Sequence, residues 1–213
     1  MTQLIYSEKK RAKVVTLFIL VNTLIYLAWS FSSVDPSDSE FMMHHFLVSW
    51  SSITDGRYWT LLTSAFSHNM FLHFFMNMYV LSSFGPIVER LLGSFRFFGF
   101  YLFAGIVSSL CHALVSAFVL GEPDLPALGA SGAIAGVILL FSMLFPRQKI
   151  LIFGLIPIPA VWGAVLFIGL DLWGLVAQAG GGGLPIGHGA HLGGAFTGII
   201  YYYFFLKPKL RRT

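Results

Sequence analysis

The chain has 213 residues, of which 56% are hydrophobic and only 10% charged, with a formal net charge of +4. Soluble domains carry about a quarter of their residues as charges, so this composition excludes a soluble globular fold and points to a polytopic membrane protein. The basic excess is modest and lies outside the apolar runs, where it reports topology rather than a nucleic-acid surface.

A basic N-terminal stretch, EKKRAK, leads into the first apolar run, 14–31. No small-residue cleavage site follows, so the sequence predicts a retained first span rather than a removed signal peptide. A long connection, 32–69, carries aromatic and polar residues (RYWTLLTSAFSH) of interfacial character; connections this long are often functional. Further spans are expected at 71–88, 97–120, 131–145 (stopped by Pro146), 160–179 and 190–206, with the proline-broken run LIFGLIPIP lying at the interface. Bases cluster in both tails, in ERLLGSFR and in PRQK, whereas DPSDSE, GEPD and GGGGLPIGHG are acidic or uncharged. This alternation puts both termini on the cytoplasmic (or matrix) side. The short N-terminus carries no clear transit peptide, which favours a bacterial inner membrane. The expected fold is an all-α, six-span bundle in one domain, 1–213, with its core at about 58–206 and a long first outer loop. The single cysteine, Cys111, allows no intrachain disulfide and reads as a buried structural thiol.

Ionisable and amide side chains inside a span are expensive and mark candidate sites. His73, Asn77, Ser131 and His191 are the clearest, followed by His112 and Asp171. The second, fourth and sixth spans all run inward from the outer face, which places the first four at similar depth. The fourth span is about 22 Å long at 1.5 Å per residue, shorter than the hydrocarbon core. Ser131 is therefore expected below the membrane surface, at the base of a water-filled pocket met by the loop GEPDLPALGA. Small faces on the fourth span (Gly132, Ala135, Gly136) and the sixth (Gly194, Ala195, Gly198) permit close backbone approach. That approach would bring the Ser131 hydroxyl within about 3 Å of His191, as base-assisted attack requires. His73 and Asn77, four residues apart on one helix face, offer N–H donors to an oxyanion, and the Ser131 amide adds a third. Nucleophile, base and oxyanion donors together describe acyl transfer.

Plainer readings exist for several of these groups. A serine opening a helix is commonly an N-cap; His112 reads as structural, and so does Asp171, with completion of a triad with His191 or proton carriage as its alternatives. His44, His45 and His188 read as partly solvated loop residues, while His68 lies just above the second span within reach of the site. With no HExxH and no metal-ligand spacing, no metal or cofactor is expected.

GASGA around Ser131, GAHLGGAFTG around His191, HNMFLHFFMN with His73 and Asn77, and VERLLGS resemble the motifs of rhomboid intramembrane serine proteases over residues 58–203. NMYVLSSFGP and GASGAIAG are similar to the presenilin-associated rhomboid-like subgroup of mitochondria and bacteria. The resemblance implies a Ser131–His191 dyad with no acidic third member. It implies His73 and Asn77 on the oxyanion side, Gly129 two residues before the serine, and no cofactor; Gly132, Gly194 and Gly198 support the site by packing and His68 by its position. It also implies single-pass transmembrane substrates cut near the outer leaflet, with small residues at the cleaved position. A non-catalytic rhomboid-like protein that binds membrane helices is the alternative, and a proton-coupled transporter using Asp171 a third reading. Two positions depart from the family pattern: Ala135 stands where many relatives have an aromatic that braces the base, and Thr60 follows Trp59 where many have arginine.

Overall fold

Without water to bond the backbone, a spanning segment must satisfy its peptide groups internally, and an apolar run of about 20 residues does so as a helix. The computed structural model describes residues 12–32, 34–152 and 155–210. In chain order it contains α1 (Lys13–Ser32), then α2 (Pro36–Phe46), α3 (Trp50–Thr54) and α4 (Thr60–Thr63), the last continuing as a 3-10 turn at Ser64–Phe66. Next come α5 (Phe71–Leu92), α6 (Ser94–Val115) with a π turn at Ser116–Leu120, and α7 (Ser131–Leu144). A hairpin of β1 (Lys149–Ile152) and β2 (Ile156–Pro159) precedes α8 (Ala160–Ala179). The last helix, α9 (His188–Tyr201), continues through a π turn at Tyr202–Leu206 into α10 (Lys207–Leu210).

The six longer helices follow the six predicted spans in order. Among the described residues, four are individually long and apolar enough to cross a membrane: α1, α5, α6 with its extension, and α8. The chain is an integral, multi-pass helical membrane protein. The basic clusters at 1–11 and 211–213, which entered the topology reading, lie outside the described residues.

Two segments are more regular than the sequence suggested. The first outer connection is built of capped short helices rather than open loop: Asp35 accepts from the Ser37 amide at the start of α2, and Ser49 and Ser52 form a capping box on α3. The run LIFGLIPIP, expected only to be interfacial, belongs to an antiparallel hairpin in register from Lys149↔Pro159 to Ile152↔Ile156. Its two prolines are tolerated because β2 has a single partner strand, so it is an edge.

α7 sits at the centre, packed most extensively on α9 and also on α6, α5 and α8, and almost every residue from Gly132 to Ser142 is buried. Outer helices turn apolar side chains outward, Leu20 and Leu24 on α1 and Trp173 and Val176 on α8, as lipid-facing surfaces do. A ring cluster of Phe18, Phe66, Phe97 and Tyr101 fixes α1 against α6, with Phe18 and Tyr101 stacked at 4.4 Å. Glu89, 2% exposed, accepts from the amides of Val14 (3.1 Å) and Val15 (2.9 Å) and from the Ser94 hydroxyl (2.7 Å). A carboxylate there satisfies orphan donors at the start of α1 and meets the positive end of its dipole.

The α7–α9 contact is a backbone contact. A Cβ at Gly194 would collide with the Gly132 carbonyl, and one at Gly198 with the Gly136 carbonyl. A Cβ at Gly136 would in turn lie 3.0 Å from the Gly194 carbonyl oxygen. Gly194→Ala is expected to lower stability by about 2 kcal/mol or more through overpacking. Gly99→Ala, at a helical glycine with nothing within 4 Å of the added methyl, should leave stability within about 1 kcal/mol. Thermal unfolding of the two variants in detergent checks the contrast.

Candidate active site

Ser131 is the first residue of α7, and its side chain does not cap the helix, whose N-cap is Ala130. The hydroxyl instead faces His191 on α9, with Oγ 2.9 Å from Nε2. Helix crossing at van der Waals backbone distance is what allows so short a side chain to reach a neighbouring helix. Gly129, with φ +129°, takes a conformation that L side chains rarely adopt. A Cβ there would also lie 2.6 Å from Cε1 of His73, so glycine lets the His73 ring approach the backbone ahead of Ser131. Gly132 leaves room for the Ser108 side chain, with which a Cβ would collide.

The loop leading to Ser131 is irregular, and several of its peptide groups are nevertheless paired. Val48 and Ala127 exchange two backbone bonds (3.0 and 2.8 Å), the Ser51 amide bonds the Pro123 carbonyl, and the Gly129 amide donates to the Ser64 carbonyl at 2.9 Å. His112, buried on α6, has Nε2 3.0 Å from the Leu125 carbonyl oxygen, a structural tie like the others. His68 is fully buried in the segment ahead of α5. Desolvation, with His73 alongside, lowers its pKa to about 3, and its Nε2 accepts from the Ala130 amide at 3.3 Å. The first outer connection thus supplies the bonds that hold the approach to Ser131.

These elements enclose a cavity of about 590 Å³, and Ser131, His191 and His73 all line it. Asn77 is buried one turn below His73; its Nδ2 donates to the His73 carbonyl at 2.8 Å and it does not line the cavity. Asn69, Met70 and the 185–187 segment before α9 form part of the lining, so the cavity lies at the ends where α5, α7 and α9 begin.

Behind His191 stands a group that sequence reasoning treated as structural. Asp171 of α8, 4% exposed, has Oδ1 3.0 Å from His191 Nδ1. With an ionised carboxylate, which only accepts, this contact would take the proton on Nδ1 and leave Nε2 bare toward the Ser131 hydroxyl. The resemblance implies a dyad with no acidic third member; in the structure an acidic side chain nevertheless stands within hydrogen-bond distance of the histidine. With Ala135 in place of an aromatic, the ring is braced by Asp171 and by Phe167, whose centroid lies 5.6 Å away at 31°. His188 is the second departure. Expected as a solvated loop residue, it is the first residue of α9, 6% exposed, with Nδ1 2.7 Å from the same Asp171 oxygen. The usable signal was its spacing: positions 188 and 191 are three apart and share a helix face. His44 and His45 remain in the outer connection, packed with Trp59 (centroids 6.1 and 5.6 Å) away from the cavity lining. Among the described residues no group of three or more His, Cys, Asp or Glu side chains is placed to hold a metal ion.

Residues 55–208 match the rhomboid domain model. The chain is 34% identical to mitochondrial rhomboid protein 1 of Saccharomyces cerevisiae over 198 residues, covering 88% of this chain and 51% of that protein. It is 31% identical to the mitochondrial RHOMBOID-like protein 12 of Arabidopsis thaliana (91% and 58% covered) and 32% identical to the mitochondrial presenilin-associated rhomboid-like protein A of Danio rerio (89% and 47%). The chain spans about half the length of these relatives, and all three are named as mitochondrial proteins, so a bacterial membrane finds no support among them. The matched segment contains the serine, both histidines of α9, the carboxylate behind them and the small-residue crossing that brings them together, and the chain belongs to the rhomboid family.

Proposed function

We propose that the protein is an intramembrane serine endopeptidase that cuts transmembrane-helix substrates through an acyl-enzyme on Ser131. The observation that carries this reading is the chain of contacts Ser131 Oγ–His191 Nε2–His191 Nδ1–Asp171 Oδ1, ending at a cavity large enough for a peptide segment.

In the proposed reaction, His191 Nε2 takes the hydroxyl proton as Ser131 Oγ bonds to the scissile carbonyl carbon. The carbonyl oxygen becomes an oxyanion. The His73 ring in the cavity wall and the Ser131 amide, which has no intrahelical partner in the first turn of α7, are its donors. Asn77 has one amide hydrogen left after bonding the His73 carbonyl and joins them if the substrate draws it in. Collapse of the intermediate breaks the C–N bond, and His191 returns the proton to the leaving amine. Water then attacks the ester, again losing a proton to His191, and releases the carboxylate product with Ser131 restored. Asp171 keeps the proton of His191 on Nδ1 throughout and stabilises the transient imidazolium.

Substrate class follows from where the cavity lies. A peptide bond inside a helix is shielded, so a spanning substrate must unwind before its carbonyl reaches Ser131. Segments with small or helix-weakening residues open most readily. The cavity is proposed to open on the face opposite the basic loops, so cleavage occurs toward that side of the bilayer.

Ser131→Ala and His191→Ala are expected to lower cleavage of a transmembrane substrate by about 10⁴-fold or more, with insertion and melting intact. Labelling by a serine-directed fluorophosphonate should be strong in wild type and absent in both variants. Folded wild type that binds substrate yet takes no label would replace this reading with a helix-binding role. His73→Ala removes one oxyanion donor and should reduce turnover by about 10²–10³-fold, measured as kcat at saturating substrate. Asp171→Asn should reduce kcat by about 10²-fold or more, since an amide N–H at that position favours the wrong tautomer of His191. An unchanged kcat in Asp171→Asn would reduce the carboxylate to a structural tie.

A further inference from the structure

Asp171 serves two histidines, and only one of them reaches Ser131. His188 Nδ1 lies 2.7 Å from Asp171 Oδ1, shorter than the 3.0 Å contact of His191 Nδ1 with the same oxygen. The His188 ring is buried at 6% exposure, and its Nε2 has no hydrogen-bond partner among the described residues. The ring fills a notch on α8 at Gly174, where any Cβ would collide with it. Asp171 is thus the one polar contact the structure gives this side chain. A buried acceptor left unmatched at Nε2 carries a penalty, and packing alone would be served better by an apolar ring.

We propose that His188 is a positioning residue for the base, fixing Asp171 Oδ1 so that it accepts from His191 Nδ1; the proposal rests on the serine-hydrolase reading of the same site. The geometry supplies the reason. A carboxylate rotates about its terminal torsion over a broad minimum, and one donor leaves that rotation loosely held. Two donors on one oxygen, both from α9 and three residues apart, define its direction from a single rigid element. Gly174 completes the device by letting α9 approach α8 closely enough for the short bond.

The test uses the whole chain in detergent micelles with ¹⁵N-labelled histidine, comparing wild type, His188→Asn, which keeps an N–H near the Nδ1 position, and the donor-free His188→Phe. A second donor-free variant, His188→Leu, covers misfolding of the phenylalanine form. Ring nitrogen shifts should report His191 as the Nδ1–H tautomer in wild type and His188→Asn, and a tautomer mixture in the donor-free forms. In a transmembrane-substrate assay the donor-free forms should lose about tenfold in kcat with KM unchanged, the effect of one lost hydrogen bond on a transition state, and His188→Asn should recover most of it. An unaltered His191 tautomer in a folded donor-free variant, or His188→Asn as impaired as the donor-free forms, would overturn the proposal. Wild type that neither cleaves nor accepts a fluorophosphonate would sink the protease reading instead, while the ring shifts still decide whether His188 governs His191.

Discussion

The backbone-to-backbone contact of α7 and α9 is the constraint from which the rest follows. Gly194 and Gly198 face Gly132 and Gly136 at distances that exclude a methyl group on α9, and a methyl at Gly136 would lie 3.0 Å from the Gly194 carbonyl oxygen. A serine side chain ends little more than 2 Å from its own Cα, so it can meet an imidazole on another helix only if the axes run unusually close. In a bilayer no hydrophobic force drives such an approach, because lipid tails are as apolar as leucine; close packing and polar contacts must do it. Small residues therefore serve stability and chemistry in the same place. The Ser131–His191 bond at 2.9 Å is the polar consequence of that steric permission.

Once the helices meet, the base still needs orientation. An aromatic one turn after the serine would brace the ring directly, and Ala135 does not. The chain solves the problem from the opposite side, through α8: Asp171 fixes one ring nitrogen and Phe167 lies along the ring. Burying a carboxylate costs more than burying an aromatic; α9 brings a second ring nitrogen to Asp171 in His188, and α8 clears space for it at Gly174.

Much of this was legible from the chain alone. Apolar runs and the alternation of basic loops gave the helix order, and running direction placed His73, Ser131 and His191 at one end of three helices. The Asp171–His191 contact could not be read from depth, because depth along an axis says little about lateral reach. Asp171 lies eight residues, about 12 Å, from the end of α8 at Ala179, whereas His191 lies only three residues into α9. Two long side chains directed toward each other close that offset, and side-chain direction between helices is not a one-dimensional property. His188 was assigned to a loop because GGGGLPIGHG has no helical pattern before it; the helix starts at His188 itself, with Gly187 as cap. The β-hairpin was hidden by Pro157 and Pro159, which argue against a strand unless its outer edge is known to be unpaired.

The first outer connection resolves a remaining physical difficulty. A water-filled cavity beside irregular backbone is tolerated at depth only if every peptide group has a partner. The 122–130 segment, neither helix nor hairpin, makes one backbone pair of its own, the Leu125 amide to the Glu122 carbonyl, and draws further partners from outside. They come from Val48, Ser64 and Ser51, and the amide just ahead of Ser131 goes to His68. The length of that connection and its capped short helices are therefore requirements of the site rather than decoration around it. The Ser131 hydroxyl and the His73 and His191 rings line the cavity alongside other polar side chains such as Asn69 and Ser108. A hydrolytic site among lipids, as proposed here, needs water admitted at the reacting atoms and excluded from the backbone, and the bonds of this connection to the loop serve the second need.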